Sequence, residues 1–220
     1  MEKIIIYGNK AVALGAYHGL KRHPDYEVVA FTVDRESSKG DRLCGLPVVP
    51  FDIVKSAFPP ETHKMFIAVG YVRNNKIRRD RYLLAKEMGY QLPNFISNAS
   101  IVHPETPVGD NCVIDAYTTI APTAKIGNDV TIGPGCIIGE NVVIGDHCFF
   151  SGGVAIAGFV SIGSCCYFGI RSTVRNKVSI GNDCVIGAGA LMLENAEDGS
   201  VYMGEQATLL PISSDKLPLG

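Results

Sequence analysis

From Val102 to Met192 an aliphatic or similar apolar residue recurs at every sixth position, without one insertion or deletion, from Val102, Val108, Ile114 and Ile120 through to Ile180, Ile186 and Met192. Two residues before each stands a small one, as in Cys112, Thr118, Ala124, Val130 and Cys136. Alternate residues of a strand share a face, so both sets are expected to point inward. Such a hexad fits one short strand and a turn. Three hexads close a triangular coil, and Val102 to Met192 makes five coils. Glycine often follows the aliphatic residue (Gly109, Gly127, Gly133, Gly139, Gly145), which suggests a turn with relaxed backbone limits. Stacked coils need capped ends. The segment 193–220 is expected to supply one, as a loop, a short extended piece at Val201 to Gly204 and a polar tail.

The first ninety residues follow another rhythm. KIIIYG reads as a buried strand entering a glycine turn, with a helix from about Ala11 to Lys21. EVVAFTVD ending at Asp34, LPVVP, and MFIAVG ending at Gly70 are further strands. Helices are expected near Phe51 to Ala57 and from Asn74 to about Met88, before a β-segment at QLPNFI. Strands alternating with helices predict a small parallel sheet whose ligand site lies at the strands' carboxyl ends, where Gly8, Asp34 and Gly70 fall. The first turn, GNKAVALG, lacks GxGxxG and gives no support to dinucleotide binding. Arg73, Lys76, Arg78, Arg79 and Arg81 crowd a helix start, where they would either cradle a phosphate or form a solvated basic face.

Composition narrows the classes. A net charge of −2 and 46% hydrophobic residues ask for neither nucleic acid nor an anionic membrane. No apolar run approaches the roughly 20 residues of a membrane helix, and MEKIIIYG lacks the features of a signal peptide, so the cytoplasm is expected. Five of the seven cysteines occupy the small inward position and read as buried hydrophobes. Cys44 and Cys165 fall outside that pattern. There is no CxxC. The repeat region has only His103 and His147, too few for a three-histidine zinc site.

An α/β segment followed by an uninterrupted hexapeptide array resembles the sialic-acid O-acetyltransferase and nucleotide-amino-sugar N-acetyltransferase family of bacteria. The resemblance covers essentially the whole chain. It rests on YGN with Gly8, VD at Asp34, IAVG followed by NNKIR, AGFVSIGSCCYFGIRSTVRN, and VYMGEQA. It implies a Rossmann-like sugar-nucleotide domain over 1–92 and a left-handed parallel β-helix with a C-terminal cap over 93–220. It further implies a homotrimer with acetyl-CoA held between subunits, acting on a nucleotide-linked amino sugar in surface-glycan biosynthesis. Carried over by position, Gly8, Asp34, Gly70, Asn74 and Lys76 would contact the sugar nucleotide, and Gly158, Ile170 and Ala188 the coenzyme. Outward apolar residues such as Phe149, Phe159 and Tyr167 would meet the neighbouring subunits.

Acyl transfer needs a base near the nucleophile and donors for the oxyanion. Where much of the family carries a histidine and an acid, this chain has Glu140 and Asn141. His147, at an outward turn of a middle coil, is the one histidine expected to be placed to act; His103 lies in the first coil. Three outcomes stay open. His147 or Glu140 is the base, with Asn141 or a nearby main-chain amide polarising the carbonyl; or a free amine attacks with no side-chain base; or the chain only binds. O-acetylation of a sugar is the alternative chemistry.

Overall fold

In a computed structural model that describes residues 1–38, 40–209 and 211, the two-residue strands of the C-terminal half pair in parallel with the strand three hexads further along. They form three sheets of seven, six and four strands, the three faces of a prism. The first face runs from Phe95–Ile96 through Val113–Ile114, Phe149–Phe150 and Tyr167–Phe168 to Val201–Tyr202. The second runs from Ile101–Val102 to Leu191–Met192, and the third from Lys125–Ile126 to Ser179–Ile180. The second residue of nearly every strand is buried, and one continuous core joins the aliphatic ladder to the small residues beside it. Phe150 and Phe168 stack at 4.6 Å inside it. Cys112, Cys136, Cys148, Cys166 and Cys184 are wholly buried as free thiols, whereas Cys44 is exposed. The extended piece at Val201–Tyr202 joins the first face, and most of the polar tail lies outside the described residues.

Glycine after the aliphatic residue has a different cause from the one the sequence suggests. These glycines do not take positive φ; it is the residue two places later that does, as in Asn111, Asp129, His147, Cys165 and Asp183, at 53° to 62°. Glycine is required because successive coils nearly touch there. A Cβ on Gly163 would stand 2.7 Å from both the nitrogen of Asn182 and the carbonyl carbon of Gly181.

The N-terminal part places β1 (Glu2–Tyr7) between β2 (Tyr26–Val33) and β5 (His63–Ile67), with β4 (Leu46–Pro50) beside β2, all parallel. The edge strand β3 (Arg42–Leu43) runs antiparallel, so the sheet is mixed rather than wholly parallel. Ile4 and Ile6 pack under α1 (Ala11–Leu20), while Ile5 and Tyr7 pack against α2 (Val54–Ala57) and α3 (Lys76–Glu87). Helix α3 starts later than expected because Arg73, Asn74 and Asn75 all have left-handed φ. The QLPNFI segment pairs with the prism, through Phe95–Ile96 against Val113–Ile114.

Face one and one edge of the prism hold the α/β part. Along that edge, called here the α3 edge, Asn111, Asp129, His147, Cys165 and Asp183 lie one per coil. Arg78 is 1% exposed and donates from Nε to Asp129 Oδ2 (3.0 Å) and from Nη2 to the carbonyls of Asp129 and Cys148 (both 3.0 Å). Asn111 bridges both parts, exchanging bonds with the main chain of Ile67 and donating to Asp129 Oδ1 at 2.7 Å. Asn75 donates to the Cys166 carbonyl (3.0 Å), and Lys76 pairs with Asp183 (3.1 Å).

Two sequence expectations are corrected by this docking. The basic cluster is not a free phosphate cradle: Lys76, Arg78, Arg79 and Arg81 are each committed to a carboxylate, of Asp183, Asp129, Asp80 and Asp34, with only Arg78 buried, while Arg73 is exposed and solvated. Phe149 and Tyr167 are half-buried, because the Tyr71 ring lies 5.2 Å and 4.7 Å from them; Phe159 alone of the three stays 60% exposed.

Gly163→Ala should destabilise the protein by about 1–3 kcal/mol in chemical denaturation, as overpacking does. Gly189→Asn, at a left-handed position with nothing within 4 Å, should stay within about 0.5 kcal/mol of the parent. Arg78→Met strands the wholly buried Asp129 carboxylate and should cost about 3–5 kcal/mol by the same measurement; Arg78→Met with Asp129→Leu should recover most of it.

Candidate functional site

Two cavities meet at the first turn of α1. The strand-end cavity, about 320 Å³, lies beyond the carboxyl ends of β1, β2 and β5, at the place where strand order reverses around β1. Gly8 makes it possible: its φ is +127°, and a Cβ there would stand 2.6 Å from the Ala68 carbonyl oxygen. The opening turn of α1 borders this cavity with Asn9, Lys10, Ala11 and Val12. Its first N–H groups have no helical partner, which suits an anion. Asp34 closes the end of β2, where its Oδ2 accepts from Arg81 Nη2 at 2.8 Å. Arg81 also donates to the Tyr7 hydroxyl (3.0 Å), whose pKa burial and then the Asp34 hydrogen bond push up to about 12. The phenol therefore stays protonated at working pH.

The second cavity, about 550 Å³, is a cleft between α1 and the first prism face. Val12, Gly15, Phe66, Tyr71, Asp115 and Ser151 are among its walls. Val12 borders both cavities; Gly70 and Val72 line the first, and Tyr71 between them lines the second. A third crevice, about 390 Å³, sits at the opposite ends of β1 and β5, where Lys64 and Glu2 neutralise each other at 2.6 Å.

The residues proposed from sequence are distributed over these features and the three prism edges. Gly8, Asp34 and Gly70 line the strand-end cavity. Asn74 and Lys76 are not among its walls: Asn74 Nδ2 donates to the Asp183 carbonyl (3.0 Å) and Lys76 pairs with the Asp183 carboxylate, so both fasten α3 to the prism. Ile170 and Ala188 lie on the edge between faces one and two, called here the cleft edge because Gly133 and Gly152 of the same edge wall the cleft. Gly158, Glu140 and Asn141 lie on the remaining edge. There Glu140 is exposed and its Oε2 accepts from Thr123 Oγ1 at 2.5 Å, and the same oxygen of Thr123 accepts from the Asn141 N–H at 2.8 Å.

His147 does not face outward as the repeat implied. It is 7% exposed on the α3 edge, with Nδ1 2.9 Å from Asp129 Oδ2 and its ring 5.3 Å from Tyr82. It shares neither edge nor cavity with Glu140 and Asn141. His103 is exposed, its Nδ1 accepting from the Glu105 N–H. Sequence reasoning passed over Tyr71, Gly15 and Asp115 as site residues. The signal for Asp115 was present, since it fills the slot after the aliphatic residue that glycine holds in Gly109, Gly127 and Gly133.

The family model described as bacterial transferase hexapeptide (six repeats) matches residues 105–140, 123–158 and 159–193. No curated protein matches the chain. Among solved structures, a mutant of perosamine N-acetyltransferase from Caulobacter crescentus, in complex with CoA and GDP-perosamine, superposes with a TM-score of 0.83 at 24% identity, covering 93% of this chain and 94% of that one. The acetyltransferase domain of PglB from Neisseria gonorrhoeae, with acetyl coenzyme A, gives 0.80 at 21% identity over 95% and 99%. WeeI from Acinetobacter baumannii gives 0.81 at 21% over 96% and 100%. The glycine slots, the three-hexad register and these matches agree, so residues 105–193 carry the bacterial transferase hexapeptide repeat, and the chain as a whole has the fold of an α/β unit docked on a left-handed parallel β-helix.

Proposed function

We propose that this protein transfers the acetyl group of acetyl-CoA to the amino group of a nucleotide-linked amino sugar, working as a cytoplasmic homotrimer. The observation that carries the proposal is the strand-end cavity, with the N–H groups of α1, Lys10 and the Asp34 carboxylate around it, on the same chain as a hexapeptide prism. The matched C. crescentus enzyme, described with CoA and GDP-perosamine, supports it over nearly the full length. In this reading α1 and Lys10 hold the phosphates, and Asp34 meets a hydroxyl of the nucleotide. No helix among the described residues is long and apolar enough to cross a membrane.

The edges argue for the trimer. Gly158 lies on one border of face two, and Ile170 and Ala188 on the other, so a coenzyme held by both sets is most simply shared between two chains. In this reading a groove between two chains brings one border of each together, with Glu140, one coil from Gly158 on the same edge, facing the cleft edge of the neighbour. Exposed Ile137, Phe159 and Leu191, at 58%, 60% and 61%, are the apolar surface such contacts cover. Within that groove Glu140 is the carboxylate placed to take a proton from the acceptor, with the Asn141 side chain beside it as a donor to the carbonyl. Positioning of a free amine against a thioester can itself contribute about 7–11 kcal/mol.

In this reading His147 takes no part in the chemistry, because it is 7% exposed beneath α3 and lies on a different edge from Glu140 and Asn141. Glu140 and Asn141, standing where much of the family carries a histidine and an acid, favour one second reading, a sugar-nucleotide binding protein without catalysis. Thiol release from acetyl-CoA with UDP-, GDP- and dTDP-linked amino sugars separates the two, since turnover supports transfer and tight binding without thiol supports the second. His147→Gln should lower stability by about 1–3 kcal/mol while leaving the rate per folded molecule within twofold of the parent. A rate loss of a hundredfold or more in a folded His147→Gln protein would return that residue to the mechanism. In sedimentation the protein should have the mass of three chains, and a monomer would remove the shared groove.

A further inference from the structure

The cleft between α1 and the prism has no role in holding a nucleotide at the strand ends, yet it is the larger of the two joined cavities, at about 550 Å³ against 320 Å³. We propose that it is the seat of the acceptor sugar ring, and that Asp115 receives the ring's cationic amino group. The inference rests on the acetyl-transfer reading above and names the acceptor contact within it.

Four observations converge on this assignment. A sugar attached to a nucleotide in the first cavity has the second as its immediate neighbour, because Val12 lines both and the segment 69–72 lines the first through Val69, Gly70 and Val72 and the second through Tyr71. Asp115 is half-buried in the cleft wall; its Oδ1 accepts the Ala116 N–H at 2.9 Å, and among the described residues the carboxylate has no ion-pair partner. Partial burial weakens the hydration of a carboxylate, and a cationic amine offsets that cost where a neutral hydroxyl does so only in part. Tyr71 borders the same space, 53% exposed and braced from behind by Phe149 and Tyr167, as a platform for the C–H face of a ring. The fourth observation is Gly15. It sits inside a helix, where glycine costs about 1 kcal/mol relative to alanine, and a Cβ there would meet nothing within 4 Å. Packing does not demand glycine at that point, and its missing side chain leaves that wall of the cleft open.

The cleft also lies where an acyl donor can arrive. Gly133 and Gly152 line it on the same prism edge as Ile170 and Ala188, one coil apart at each step, and coils stack at about 4.8 Å. An amine held by Asp115 is thus on the edge assigned to the coenzyme, and on a different edge from His147. Asp115 is an acceptor-binding residue: it holds the ammonium, which gives up a proton to the base, Glu140 in the reading above, before the nitrogen attacks the thioester, and the selection it imposes is for nitrogen over oxygen.

The test compares the parent protein with Asp115→Asn and Gly15→Leu in the thiol-release assay, using the best acceptor among UDP-, GDP- and dTDP-linked amino sugars. That acceptor's hydroxyl counterpart serves as a competitive inhibitor. Asp115→Asn keeps an oxygen for the Ala116 N–H, and leucine is a better helix former than glycine, so neither change threatens the fold; thermal unfolding midpoints verify this. Asp115→Asn should raise KM for the amino sugar at least about tenfold, leave KM for acetyl-CoA within twofold, and weaken inhibition by the hydroxyl counterpart far less. Gly15→Leu should lose acceptor binding with an equal or higher unfolding midpoint. An unchanged amino-sugar KM in Asp115→Asn, equal weakening of amine and hydroxyl ligands, or normal turnover by Gly15→Leu overturns the inference and leaves the acetyl-transfer reading standing. Failure of the parent protein to release thiol with every acceptor overturns that reading first, and this inference with it.

Discussion

Each coil of the prism must lie directly above the one before it, at hydrogen-bond distance, and that single condition governs most of the molecule. Partners stay three hexads apart from Phe95 to Leu191, so no residue can be added or lost between them without moving every inward side chain. The same condition explains why glycine fills the close-contact slots and why the left-handed turn positions accept asparagine, aspartate and histidine. It also turns the three edges into straight tracks. Residues at matching positions of successive coils therefore line up along one edge, apart from those on the other two.

The edges are used differently because only one is covered by the α/β part. A wholly buried Arg78–Asp129 pair would be a poor source of stability by itself, since two charges lose their water. Here the remaining hydrogen-bond capacity is met by the Cys148 carbonyl, Asn75, Asn111 and His147, and the pair fixes where α3 sits along the coils. Helix α1 meets face one on its own, where Phe95 lies 2.5 Å from the Cβ position of Gly19 and Phe95 and Val113 pack against the α1 cluster, and the cleft with Tyr71 and Asp115 lies beside that contact.

The prism was legible because its period is sustained over five coils and needs no long-range information. The α/β order was equally legible from strands alternating with helices, down to the placement of Gly8, Asp34 and Gly70 at strand ends. What the sequence could not convey was which edge α3 would cover. Periodicity puts His147 at a turn, and turns face outward until another element packs on them. The basic cluster misled for the same reason, since Asp34, Asp129 and Asp183, the partners of Arg81, Arg78 and Lys76, lie 47 or more residues away in the chain. Glycine slots were visible, but their cause, the near contact of adjacent coils, is a property of stacking and of no single hexad. Asp115 appeared only as a departure from that pattern, and the cleft gives the departure a meaning.

The positions of the two substrates test the central claim most directly. A crystal of the protein grown with CoA and a nucleotide-linked amino sugar is predicted to show the coenzyme between the Ile170–Ala188 edge of one chain and the Glu140–Gly158 edge of its neighbour. The sugar ring should lie under Tyr71, with its nitrogen at hydrogen-bond distance from Asp115. A coenzyme along the α3 edge beside His147, or a sugar ring outside the cleft, would contradict it.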